Sequence, residues 1–100
     1  MFYIYVLYSP SSDIHYVGYS EDPYRRLIEH NTKEEGTFSS KHKPWLLSAV
    51  FEAGSKQEAI IAERFIKKQR SAKLIAKLLD PNFVLDGKLA NLVRVPDIRD

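Results

Sequence analysis

Residues 15–31 read HYVGYSEDPYRRLIEHN. The first half alternates like a strand and reaches a glycine at Gly18. The second half opens with Asp22-Pro23, a helix N-cap followed by the residue type best suited to the first helical position. Tyr24, Leu27 and Ile28 recur at helical spacing and predict the buried face of a helix that stops near Asn31. Arg26 and His30 are one turn apart and share a different face. Gly18 has no side chain, so something can approach the sheet closely there. Taken alone, Arg26 and His30 read equally well as surface residues or as a pair aimed at a ligand.

Upstream, residues 2–8 are apolar, aromatic or β-branched throughout and predict a buried strand. SPSSD at 9–13 is turn chemistry, so 14–19 returns as the second strand of a hairpin. Tyr3, Tyr5 and Leu7 share one strand face. If the turn sets residue 5 opposite residue 16, the phenols of Tyr5 and Tyr16 converge near Gly18. Otherwise they are sheet aromatics with their hydroxyls at the rim. His15 alternates away from Tyr16 and reads as structural or exposed.

Downstream, 31–44 is a polar loop carrying Lys41, His42 and Lys43, and 45–51 is a third strand. Ser55 and Glu58 form a capping box that opens a helix running to about residue 70. Ser71 caps a shorter helix to 79, ended by Asp80-Pro81. The order β-β-α-β-α-α predicts an α+β domain over 1–80, a small three-stranded antiparallel sheet flanked by helices. The extension at 81–100 packs on that domain or on a second copy of the chain, as a homodimer.

Glu63 is the residue that helical projection makes hardest to place. It falls beside Ala59, Ala62 and Ile66, on the stripe that a core residue would occupy. A carboxylate there is costly unless it is paired or binds a cation. It is either a metal ligand or half of a structural ion pair with Arg70 or Arg26. Glu58 is explained by capping.

The 100 residues fit one domain, with 44% hydrophobic and 28% charged residues. There is no cysteine, which excludes disulfides and thiolate metal sites and suits a cytoplasmic setting. No apolar run is long enough to span a membrane, and MFYIYVLY reads as a strand and not a signal peptide. Net charge is only +2, yet Arg64, Lys67, Lys68, Arg70, Lys73 and Lys77 follow one another with no acidic residue between them. That segment is either a solvated helix face or a surface for a polyanion such as DNA.

YIY at 3–5, YVG at 16–18, Arg26-Leu27 eight residues after the glycine, His30, and EAIIAERFIK at 58–67 together resemble the GIY-YIG nuclease family. More narrowly, the chain resembles the small stand-alone bacterial proteins of that family over about residues 2–79. The resemblance implies a three-stranded sheet and divalent-metal-dependent hydrolysis of DNA phosphodiesters, with Mg²⁺ or Mn²⁺ as cofactor. It implies an endonuclease for structured or damaged DNA, as in repair or recombination, that does not read sequence. It assigns Tyr5 and Tyr16 to the two motif tyrosines, Gly18 to the closing glycine, and Arg26 and His30 to the family's arginine and histidine. Glu63 takes the place of the metal-binding glutamate. Lys41, Lys43, Arg64, Lys67, Lys68, Arg70 and Lys73 are then candidates for contacting the DNA backbone. The glycine of the first motif is Tyr3 here. Many members carry a late asparagine, for which Asn82 and Asn91 are both available. The alternative is a non-catalytic nucleic-acid-binding or dimerising module that kept the fold; the presence of all five site residues argues against it.

Overall fold

The computed structural model describes residues 1–32, 38–96 and 98. Its elements are β1 (Phe2–Ser9), β2 (Ile14–Ser20), α1 (Pro23–Thr32), α2 (Phe38–Lys41), β3 (Leu46–Ala53), α3 (Lys56–Gln69), α4 (Ala72–Leu79) and β4 (Val93–Arg94). A 3-10 turn spans Gly87–Leu89. The sheet is antiparallel with strand order β2-β1-β3-β4.

β1 is central and buried on both faces, which is why its sequence is apolar without a polar alternation. Ile4 and Val6 enter one face, Tyr5 and Leu7 the other, and none of the four is more than 1% exposed. On the first face Ala59, Ala62 and Ile66 of α3, with Leu78 of α4, cover Ile4, Val6 and Phe51. On the second face Leu27 of α1 and Trp45 cover Tyr5, Leu7, Leu47 and Val50. β3 serves both by alternation, with Phe51 and Ala49 on the first face and Val50 on the second, and its pairing with β1 slips between Val6 and Leu7, which puts Leu47 on the Val50 face. Val6 faces Ala49 while Leu7 faces Leu47, so Ser48 is the extra residue of a bulge.

The local signals act as their chemistry dictates. The Asp22 carboxylate accepts from Arg25 N–H at 3.1 Å and caps α1. Ser55 Oγ accepts from Glu58 N–H at 3.1 Å, and Ser71 Oγ from Leu74 N–H at 3.0 Å. Arg70, left-handed at φ 47°, closes α3 by donating its N–H to the carbonyl of Lys67.

Four expectations need correction. The sheet has a fourth strand: Val93 and Arg94 pair with Glu52 and Phe51, and Val95 N–H adds a bond to the Val50 carbonyl at 2.9 Å. A two-residue ladder leaves no alternation to read. Before it, Leu89 and Leu92 are buried in the core beneath α3. Second, α1 docks through Pro23, Leu27 and His30, while Tyr24 and Ile28 are exposed. A histidine with partners displaced two apolar side chains from the inner face. Third, Tyr5 lies opposite Gly18 and Leu7 opposite Tyr16, a shift of two residues from the expected pairing. The shift is even, so Tyr5 and Tyr16 keep a common face. Fourth, part of the polar loop is helical, since Phe38–Lys41 form one turn; residues 33–37 lie outside the described residues.

Opposite Tyr5, Gly18 is required by space. A Cβ added there would sit 2.5 Å from the Tyr5 phenol oxygen and 2.6 Å from Cζ. Gly18→Ala is expected to cost about 1–3 kcal/mol by overpacking, at roughly 4–8 °C of melting temperature per kcal/mol. Thermal denaturation followed by circular dichroism checks this. An alanine variant that melts with the parent would show that the phenol does not need this space.

Candidate active site

The site is built around the phenol of Tyr5. Strand alternation turns this side chain toward α1, and Gly18 leaves the room in which the ring lies. The residue is 1% exposed, so its hydroxyl is not at a rim as a strand tyrosine's usually is. A buried hydroxyl needs partners, and α1 supplies them. His30 Nε2 is 3.3 Å from the phenol oxygen. Arg26 places its guanidinium within hydrogen-bonding reach of the same phenol.

His30 is itself fixed. Its Nδ1 is 2.6 Å from Ser39 Oγ, and the residue is 3% exposed. Ser39 also accepts, through its carbonyl, the Trp45 indole N–H at 3.0 Å. Asn31 closes the arrangement by bonding both ways with the Trp45 backbone: its Nδ2 donates to the carbonyl at 3.0 Å and its Oδ1 accepts from the N–H at 2.5 Å. Ser39, Asn31 and Trp45 are therefore positioning residues that sequence reasoning missed. Asn31 carried only a helix-stop signal, and Ser39 lay in a polar loop with nothing to single it out.

Arg26 reaches the phenol from the edge of α1, with its side chain 31% exposed, and also pairs with Glu29 on the next turn. Tyr5 has its pKa raised. Burial is the largest cause, the hydrogen bond from Arg26 works against it, and the charges of Tyr16 and Glu63 add to it. The phenol therefore holds its proton at neutral pH more firmly than a free tyrosine, whose pKa is about 10. Those influences also mean that Arg26, Tyr16 and Glu63 all lie close enough to act on Tyr5 electrostatically.

Tyr16 stands beside Tyr5, with ring centroids 6.4 Å apart, and its ring centre is 4.8 Å from that of His30. Lys67 places its ammonium 5.2 Å from the Tyr16 ring centre and 3.5 Å from Glu63 Oε1. Glu63 is thus paired, but with neither expected partner. Arg70 turns away as the left-handed cap of α3 and Arg26 is held by α1, while Lys67 is one turn along the same helix. The Glu63 side chain is 15% exposed, at the flank of the α3 core stripe and not within it. The structure brings Tyr5, Tyr16, Arg26 and His30 together around one phenol, with Glu63 beside Lys67 at the edge of this group.

The basic residues lie outside that cluster. Lys41, Lys43, Arg64, Lys68, Arg70 and Lys73 are exposed, and of the candidates only Lys67 also touches the site. His42 Nδ1 is 2.8 Å from Ser12 Oγ, and its ring lies against Phe38, which ties the loop to the hairpin turn. His15 lies against Tyr8, with ring centres 4.9 Å apart. Asn82 and Asn91 are both exposed; Asn82 N–H donates to Asp80 and Asn91 borders a small cleft with Glu58 and Lys88.

The donor chemistry of the cluster suits a hard cation. Glu63 offers one accessible carboxylate, and no group of three His, Cys, Asp or Glu gathers among the described residues. Mg²⁺ is commonly held by one or two carboxylates, with water and phosphate oxygens completing its shell. An all-protein cage does not fit these residues. No helix among the described residues is long and apolar enough to cross a membrane.

Comparison with curated proteins finds no match. Residues 1–76 match the GIY-YIG catalytic domain, which covers β1 to most of α4 and all five clustered residues. A domain of this kind points to a nuclease with DNA as substrate, and GIY-YIG nucleases are generally divalent-metal dependent. With its hairpin, its glycine under a buried tyrosine and its helical Arg26 and His30, the chain belongs to the GIY-YIG family.

Proposed function

We propose that this protein is a divalent-metal-dependent endonuclease that hydrolyses DNA phosphodiester bonds, selecting structured or damaged DNA and not a base sequence. The observation that carries the reading is the buried Tyr5 phenol held by His30 and Arg26, with Tyr16 and Glu63 acting on it. A structural tyrosine has no use for both an arginine and a histidine at one hydroxyl.

Each residue has a task that follows from its position. Glu63 would hold Mg²⁺ or Mn²⁺, which when bound supplies positive charge to the phosphate and acidifies water. Arg26 presents a planar fork to the phosphoryl oxygens as their negative charge grows. The attacking water gives its proton to the Tyr5 oxygen as the proton on that oxygen passes to His30 Nε2, 3.3 Å away. That transfer needs His30 to keep its own proton on Nδ1, donated to Ser39 Oγ, so that Nε2 is free to accept. The new bond to phosphorus forms from the water oxygen, and the bond to the departing sugar oxygen breaks, that oxygen leaving with the electron pair and taking a proton from solvent. A raised phenol pKa suits a group that relays a proton without resting as a phenolate. Exposed Lys68, Arg70 and Lys73, with Lys41, Lys43 and Arg64, meet phosphates, which gives affinity without sequence information.

Nicking of supercoiled plasmid with added Mg²⁺ or Mn²⁺ tests the activity. Arg26→Ala is expected to lower the rate about 100- to 1000-fold while the fold survives, because the side chain is at the edge of α1. Arg26→Lys should recover little, since it keeps the charge and loses the fork. Cleavage at the parent rate by either variant would remove Arg26 from the reaction.

Glu63→Gln keeps shape and removes the charge. It should abolish nicking and the rise in melting temperature that metal gives the parent. Without metal the variant should melt close to the parent, because an i,i+4 pair whose Lys67 end is exposed contributes only about 0.3–0.5 kcal/mol. A variant that melts far below the parent yet still cleaves would make Glu63 a structural residue.

A further inference from the structure

Beside the cluster, the structure carries a groove of about 610 Å³ between the edge strand β2 and the turn from α3 into α4. The volume lies within the roughly 300–1,000 Å³ of pockets that enclose small organic ligands. Tyr16 and Lys67 belong both to the groove and to the site, so the two are continuous. The floor is apolar, with Val17, Ile66, Ile75 and Leu79, and the wall from α4 is made of the small exposed residues Ala72 and Ala76. Its charged members are mostly basic. Lys67 and the exposed Arg70 line it from the C-terminal end of α3. The one carboxylate, Asp13, accepts a hydrogen bond from the Tyr8 hydroxyl at 2.9 Å.

We propose that this groove receives an unpaired nucleotide of the DNA next to the bond being cut, its base on the apolar floor and its phosphate against Lys67 and Arg70. The inference rests on the nuclease reading for the identity of the ligand. A duplex turns phosphates and sugars outward and keeps its bases stacked, so it offers nothing to an apolar recess. An unpaired nucleotide offers both an apolar base and an anionic phosphate, which is the combination of surfaces found here. The arrangement selects substrate by structure: a strand that can release a base fills the groove, and an intact duplex leaves it empty.

The test is fluorescence anisotropy in chelator, where nothing is cleaved. The probes are a labelled oligothymidylate of about 12 nucleotides, within the ~4–16 that one small domain covers, and a blunt duplex of equal length. The parent should bind the single strand more tightly. Ala76→Trp fills the groove without adding charge, and Ala76→Glu adds a carboxylate; the site is exposed, so both should melt near the parent. Each should weaken single-strand binding roughly tenfold, the scale of one lost base contact, and leave duplex binding within about twofold. Arg70→Gln should weaken the single strand by a smaller factor. For the two Ala76 variants, unchanged single-strand binding, or equal losses on both probes, would overturn the proposal. So would a fall in oligomeric mass with Ala76→Trp at unchanged single-strand binding, which would make the groove a contact between copies of the chain. A parent that binds as described and does not nick plasmid would contradict the nuclease reading and leave the groove assignment standing.

Discussion

The contact between the Tyr5 phenol and the bare backbone of Gly18 is the constraint on which the site depends. Tyr5 is on the central strand β1 and Gly18 on the edge strand β2, and the two are directly paired. Any side chain at Gly18 would occupy the volume of the phenol. With the ring laid over the glycine, its hydroxyl is directed at α1 and not at solvent. Arg26 and His30 then satisfy a buried oxygen that would otherwise cost about 1–3 kcal/mol unpaired. The same contact therefore organises packing on one side of the ring and chemistry on the other.

A second layer keeps that geometry fixed. His30 reaches Tyr5 with one ring nitrogen and Ser39 with the other, and Ser39 and Asn31 both bond to Trp45. The chain from phenol to indole crosses β1, α1, α2 and the start of β3. Elements far apart in sequence are thus fastened by hydrogen bonds at the place where precision matters for proton transfer. On the opposite face of the sheet, ordinary apolar packing by Ala59, Ala62 and Ile66 sets the position of α3. That helix delivers Glu63 and Lys67 to the rim of the site.

Much of this was legible because local chemistry was consistent with it. The caps at Asp22, Ser55 and Ser71 each sat where a helix began. The continuous apolar run of β1 announced burial on both faces. The resemblance to GIY-YIG nucleases rested on spacing across the whole domain, and the family match over residues 1–76 agrees with it. What could not be read depended on distant partners. Leu27 was found but Tyr24 and Ile28 were misplaced, because the polar contacts of His30, invisible in the periodicity, decided which face of α1 turned inward. The Tyr5–Tyr16 register depended on how many residues the turn consumed. The pairing of Glu63 with Lys67 depended on small rotations at the flank of a helix, and β4 on a two-residue ladder.

The central claim is that the Tyr5 hydroxyl takes part in the reaction and is not held only for packing. Tyr5→Phe removes that one oxygen and keeps the ring over Gly18. The direct measurement is the single-turnover nicking rate of this variant beside the parent, at a temperature where melting curves show both fully folded. The account predicts a rate lower by at least about 100-fold, with a modest loss of stability from the lost bond between the phenol and His30. A phenylalanine variant that is folded and nicks at the parent rate would contradict it.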